Sequence, residues 1–324
     1  MLGNMRPINS VKVFIMFLSC PLMRRTFLVI GIGLLVSWSA QAAGPVRVGS
    51  KIDTEGKLLG HMMVLALNAN GIKTENKVSL GNTKIVRTAL LTGEIDLYPE
   101  YTGNGAFMLG AEKSPAWRDF RAGYELAKQM DFEKNRIVWL EPANANNTWV
   151  IAVRKDHATA NELRTMADVG RHIAKGGTFK LAASAEFMER TDAMPAFQAT
   201  YGFKLRADQV LVLAGGDTAV TIRAAAEKTS GVNAAMAYGT DGPLAALGLL
   251  VMEDPKGVQP VYAPAPLVRE EVLKRHPAIA TILAPIFKSL DRPTLQMLNA
   301  RIQLEGQDPR KVASSYLQNK GFLK

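Results

Sequence analysis

The sequence predicts an α/β protein of two similar lobes joined by two extended segments, a hinged clamshell. Three observations carry this. Short apolar runs alternate with amphipathic helical stretches; one strand–turn–helix–strand unit occurs twice, about 135 residues apart; and two extended stretches stand where the chain would pass between the copies.

The elements follow in order. Val46 to Ser50 reads as a short buried strand. Leu58, Leu59, Met62, Met63, Leu65 and Ala66 then recur at helical spacing, and Gly71 suits the helix end. Val78 to Leu80 is a second strand, Thr83 to Leu91 a helix and Ile95 to Tyr98 a third strand, a βαβ pattern that predicts a parallel sheet. Gly81-Asn82-Thr83 opens the first copy of the repeat, which ends in Tyr101-Thr102-Gly103-Asn104-Gly105. Gly216-Asp217-Thr218 opens the second, whose strand Ala234 to Ala237 leads to Tyr238-Gly239-Thr240-Asp241-Gly242. Asn82 and Asp217 are side chains suited to capping a helix start.

Asn146 to Val153 turns from polar loop into strand, and three prolines keep Gln259 to Pro266 extended. The helices that follow, Thr281 to Leu290 and Thr294 to Leu304, are expected to return to the first lobe. The expected organisation is residues 43–146 plus 262–324 as lobe I and 147–261 as lobe II.

Residues 1–42 read as a secretory address: Met23-Arg24-Arg25, an apolar run from Phe27 to Val36, then Ala40-Gln41-Ala42, with cleavage after Ala42. Met23 is a candidate start. Cys20, the one cysteine, follows a poor lipidation box and falls within the removed segment. The remainder is expected in the periplasm, where a chain without cysteine needs no disulfide. The segment takes four of the ten formal positive charges, leaving a mixed surface near +6 that does not point to nucleic acid.

The inventory for catalysis is thin. His61, His157, His172 and His276 show no metal-ligand spacing, and neither a G-x-S-x-G elbow nor a phosphate-loop motif occurs. No enzyme, cofactor or metal is expected. The aromatic residues say more. Tyr98, Tyr101, Trp149, Tyr238 and Tyr262 fall at strand ends or crossings, where open α/β sheets bind ligands. Aromatic faces converging on one cleft suit a cation that lacks hydrogen-bond donors. Tyr98, next to Pro99, is better read as packing.

The chain resembles the substrate-binding proteins of ABC importers for glycine betaine and other quaternary ammonium compounds, of the ProX and OpuC type. The likeness is carried by Val48 to Glu55, Asp96 to Gly103, Asn147-Thr148-Trp149, Glu186 to Arg190, Met236 to Gly242 and Tyr262 to Pro266, in that order. It implies a type II periplasmic-binding-protein clamshell. It also implies an aromatic box of Tyr101, Trp149, Tyr238 and Tyr262 around a trimethylammonium group, with Lys51 and Arg190 facing the carboxylate. Asn147 and Thr240, inside two of these motifs, complete the expected ligand-binding set. The partners it implies are a small zwitterionic or cationic osmolyte and an inner-membrane ABC permease, with the chain a monomer. Choline, carnitine or an amino-acid-like zwitterion is the alternative cargo, and a periplasmic enzyme on the same scaffold the more distant one. Three departures from the family pattern imply weaker betaine binding: Trp149 for a tyrosine, Thr191-Asp192-Ala193 for an Arg-Pro-Asp-Gly-like turn, and Thr54-Glu55-Gly56 for a Phe-Thr-Glu-Gln-like stretch.

Overall fold

The computed structural model describes residues 44–213 and 215–323; the expected signal segment, its cleavage after Ala42 and Cys20 lie outside them. The strands are β1 (Val46–Lys51), β2 (Thr74–Gly81), β3 (Leu97–Tyr101), β4 (Ile137–Trp139), β5 (Trp149–Arg154), β6 (Leu181–Ser184), β7 (Val210–Leu213), β8 (Ala234–Tyr238), β9 (Leu249–Val251) and β10 (Pro264–Arg269). They form two five-stranded sheets, ordered β2-β1-β3-β10-β4 and β7-β6-β8-β5-β9. The second order repeats the first position by position, so the repeat read in the sequence is a repeat of topology.

The helix starts follow from their caps. Asp53 accepts from the Gly56 N–H at 2.8 Å to open the helix Thr54–Ala69. Asn82 accepts from Ile85 to open Thr83–Leu91, and Asp217 from Ala219 to open Thr218–Ala226, the equivalent helix of the second lobe. Gly71, at φ +80°, lets the chain leave the first helix in the left-handed region.

Each lobe buries apolar side chains on both faces of its sheet. On one face of the first sheet, Leu58, Leu59, Met62 and Met63 pack with Leu283, Phe287, Leu298 and Leu317 of the C-terminal helices. Val86, Leu90, Trp117, Tyr124 and Trp139 fill the other face. In lobe II the two layers are built around Phe187 and Phe197, and around Ile222 and Ala235.

The expectation of parallel sheets needs correction: both are mixed. In each, one strand runs against its neighbours, β10 against β3 and β4, and β5 against β8 and β9. These are the two strands that enter from the other lobe. A strand arriving across the hinge has no crossover helix in its own lobe to turn it parallel. The third strand also begins and ends later than its expected Ile95 to Tyr98. Pairing of Tyr101 with Pro264, and of Leu97 with Val268, carries the ladder through Pro99 to Tyr101.

An aromatic cleft between the lobes

The reversed strands explain where the aromatic rings meet. β3 and β8 end at Tyr101 and Tyr238, while β5 starts at Trp149 and Tyr262 lies just before β10. Trp149 is paired with Tyr238 and Tyr101 with Pro264, so all four ring-bearing positions stand at one edge of the two sheets. There a narrow cleft lies between the lobes, lined by all four rings together with Lys51, Asp53, Asn104, Asn147 and Glu186.

Trp149 and Tyr238 are stacked with nearly parallel planes, 18° apart with centroids at 6.4 Å, and Trp149 meets Tyr262 at 5.8 Å, tilted by 56°. Phe187 props the indole from behind, edge-on at 5.4 Å. Two of the four rings already carry a protein cation on one face. Lys51 Nζ is 4.4 Å from the Tyr101 centroid, and the Arg190 guanidinium lies between Trp149 at 4.6 Å and Phe107 at 4.5 Å. Trp149 Nε1 and Tyr262 Oη are buried without a hydrogen-bond partner.

Of the residues singled out in the sequence, Lys51, Tyr101, Asn147, Trp149, Tyr238 and Tyr262 line the cleft, whereas Arg190 and Thr240 stand behind it. Neither base is free. Lys51 Nζ meets Glu100 Oε1 at 2.6 Å. Arg190 grips Asp192 with two nitrogens, at 2.9 and 2.6 Å, and donates to Glu186 and to Asn104 Oδ1. Glu186 is thus one ion-pair partner of the buried Arg190, and Asp192 the closer one. Thr240 Oγ1 accepts from Asn147 Nδ2 at 2.5 Å, which ties the first crossing segment to the turn after Tyr238.

Sequence reasoning missed Asp53, Asn104 and Glu186 as lining residues, and Glu55 as a support. Glu55 is buried under the box and accepts from Tyr101 Oη at 3.0 Å, Asn147 Nδ2 at 3.1 Å and Asn299 Nδ2 at 2.8 Å. Burial pushes its carboxyl up to about 7, although these donors favour the ionised form. Asp53 lies inside a quoted motif, where it caps a helix, and Asn104 inside the repeated turn, so both positions were legible without their role. Asn299 had no signal, since only the returning helix Arg292–Gln303 brings it in.

Across the cleft mouth, Thr54 Oγ1 donates to Asp217 Oδ1 at 3.2 Å, and Lys57 Nζ lies 3.8 Å from the same carboxylate. The lobes are therefore closed on each other. Among the described residues no group of three or more acids, histidines or cysteines is placed to hold a metal, and no helix is long and apolar enough to cross a membrane.

Two mixed α/β lobes closing on an aromatic-walled cleft make a clamshell of the type II periplasmic-binding-protein fold. The chain belongs to the family described as the substrate binding domain of ABC-type glycine betaine transport systems, which matches residues 44–319. It is 61% identical over 289 residues to the glycine betaine-binding protein YehZ of Escherichia coli K12, covering 89% of this chain and 95% of that protein. A glycine-betaine-binding protein of Pseudomonas aeruginosa is 32% identical over 297 residues, covering 90% of this chain and 92% of the relative. The solved structure of apo YehZ from E. coli matches with a TM-score of 0.63 over 86% of this chain and 100% of its own.

Proposed function

We propose that this chain is the exported solute-binding component of an ABC importer, taking up glycine betaine or a related quaternary ammonium osmolyte with low affinity. The convergence of Tyr101, Trp149, Tyr238 and Tyr262 on one closed cleft carries the reading. A trimethylammonium group has no hydrogen to donate, and ring faces attract it at about 0.5–2 kcal/mol each. The binding of glycine betaine by a relative 61% identical over nearly the whole chain supports the same cargo.

In this reading lobe I comprises residues 43–146 and 262–324 and lobe II residues 147–261. The protein works in the periplasm as a monomer after loss of residues 1–42, performs no catalysis, and delivers its cargo to an inner-membrane permease. The ligand enters between open lobes, and its contacts to both halves favour the closed form. Hinge closure of periplasmic binding proteins is a general precedent. A second reading, choline or another cation without a carboxylate, is favoured by one observation: both Lys51 and Arg190 are already paired with acids.

Isothermal titration with glycine betaine, choline, carnitine and proline betaine tests the proposal. Saturable heat with at least one of them, reduced in Tyr262→Ala, is expected. No heat at millimolar concentrations of any would discard the quaternary ammonium cargo.

A further inference from the structure

The lysine expected to meet a ligand carboxylate already holds a carboxylate of the protein. Lys51 Nζ lies 2.6 Å from Glu100 Oε1, and the Glu100 side chain is fully buried behind it. Glu100 is rigidly placed. Its Oε1 also accepts the Tyr101 N–H and Asn104 Nδ2, each at 2.8 Å, and its Oε2 accepts the Tyr98 hydroxyl at 2.9 Å. Four donors thus fix one carboxylate at the place where a substrate carboxylate would compete for the same ammonium.

The rest of the lining does not restore positive charge. Asp53 and Glu186 both face the cleft, and Arg190 is committed to Asp192, Glu186 and Asn104. A bare trimethylammonium cation meets a field that suits it, whereas a zwitterion brings a further carboxylate beside an ammonium that is already neutralised.

We propose that Glu100 is a specificity-determining residue of the cleft: by neutralising Lys51 it holds down affinity for quaternary ammonium ligands that carry a carboxylate, relative to those that are simple cations. This rests on the quaternary ammonium reading of the cleft. Asn104 shares in the effect, because its Nδ2 donates to Glu100 while its Oδ1 accepts from Arg190, linking the two basic residues through one side chain.

The test is a titration of wild type and Glu100→Gln with glycine betaine and with choline, which share the trimethylammonium group and differ at the other end. The amide keeps an oxygen for Lys51 and removes the charge. Betaine affinity should rise roughly tenfold or more while choline affinity stays within about threefold or falls. Equal changes for both ligands, or weaker betaine binding, would overturn the proposal. Should Glu100→Gln fail to fold, Lys51→Met leaves the Glu100 charge unopposed, and choline should then tighten while betaine weakens; unchanged choline binding counts against the proposal. Betaine binding that Glu100→Gln leaves untouched sinks this inference alone. Failure of wild type and variants to bind either ligand sinks it together with the cargo it rests on.

Discussion

The backbone N–H of Asn147 donates to the carbonyl of Tyr262 over 2.9 Å, and the Asn146 side chain accepts from the Tyr262 N–H at 2.8 Å. The two segments that cross between the lobes are therefore hydrogen-bonded to each other where Trp149 and Tyr262 leave them. Those two rings ride on one hinge, while Tyr101 and Tyr238 end the third strand of the first sheet and its counterpart in the second. Tyr101 and Tyr238 thus belong to different sheets, whereas Trp149 and Tyr262 follow two segments bonded to each other.

That division makes the tyrosines separable by mutation. Replacing Tyr238 or Tyr262 by Leu keeps apolar bulk and removes the ring quadrupole. Each variant should weaken betaine binding by about 2- to 30-fold, the equivalent of ~0.5–2 kcal/mol. Titration calorimetry gives the number, and a far-UV spectrum like that of wild type shows that the chain is still folded. Undiminished affinity in both would remove the box.

Gly103 gives a way to move a ring without changing it. A Cβ at this position would stand 2.9 Å from three atoms of the Tyr262 ring, closer than real contacts allow. In Gly103→Ala the ring must swing away, and since Tyr262 lines the cleft, affinity should fall about as far as in Tyr262→Leu. A variant that melts like wild type and binds like wild type would mean that Tyr262 relaxes without leaving its place.

Much of this was legible in the sequence because it is local. The caps at Asn82 and Asp217, the repeated turns after Tyr101 and Tyr238, and the prolines of the second crossing each act within a few residues. What stayed hidden is tertiary. Nothing near Lys51 announces that Glu100 will fill its charge, because the two meet only when the first and third strands pair side by side in the sheet. The reversal of β5 and β10 was hidden too, since a strand's direction depends on which lobe it enters from. Glu55 stood out only as a departure from the family pattern, yet it is where three segments are tied together under the box.

Glu55 and Asp241 predict how stability depends on pH. Burial raises Glu55 from 4.5 to about 7 and Asp241 from 3.8 to about 6. The folded chain therefore holds protons that the unfolded chain has released between those limits. Stability from these groups is greatest at low pH and falls as pH rises, from about 4 up to about 7, then levels off. The limiting slope is about 1.4 kcal/mol per pH unit for each group. In Glu55→Gln its share of that slope disappears, so urea denaturation at pH 5 and pH 7.5 should show a smaller difference than wild type. An identical difference in the two proteins would place Glu55 outside the titration.

The helix Arg292–Gln303 straps the turn that carries Tyr238. Gln296 Nε2 donates to the Gly239 carbonyl at 3.1 Å, Asn299 Nδ2 to that of Thr240 at 3.0 Å, and Gln303 Nε2 to Asp241 Oδ1 at 3.0 Å. Gly242 lets the turn lie this close. A Cβ there would sit 2.2 Å from the Gln296 carbonyl oxygen and 2.6 Å from the Ala300 methyl, and neither can rotate aside. Gly242→Ala must therefore part the turn from the helix and loosen all three amide contacts together. Its cost should be about 3 kcal/mol or more, against about 1 kcal/mol for Gln303→Ala, which removes a single hydrogen bond. Because the parted turn carries Tyr238 with it, betaine affinity should fall in Gly242→Ala and hold in Gln303→Ala. Paired denaturation and titration of the two variants decide the matter: equal and small losses in both would mean the turn keeps its position without the strap.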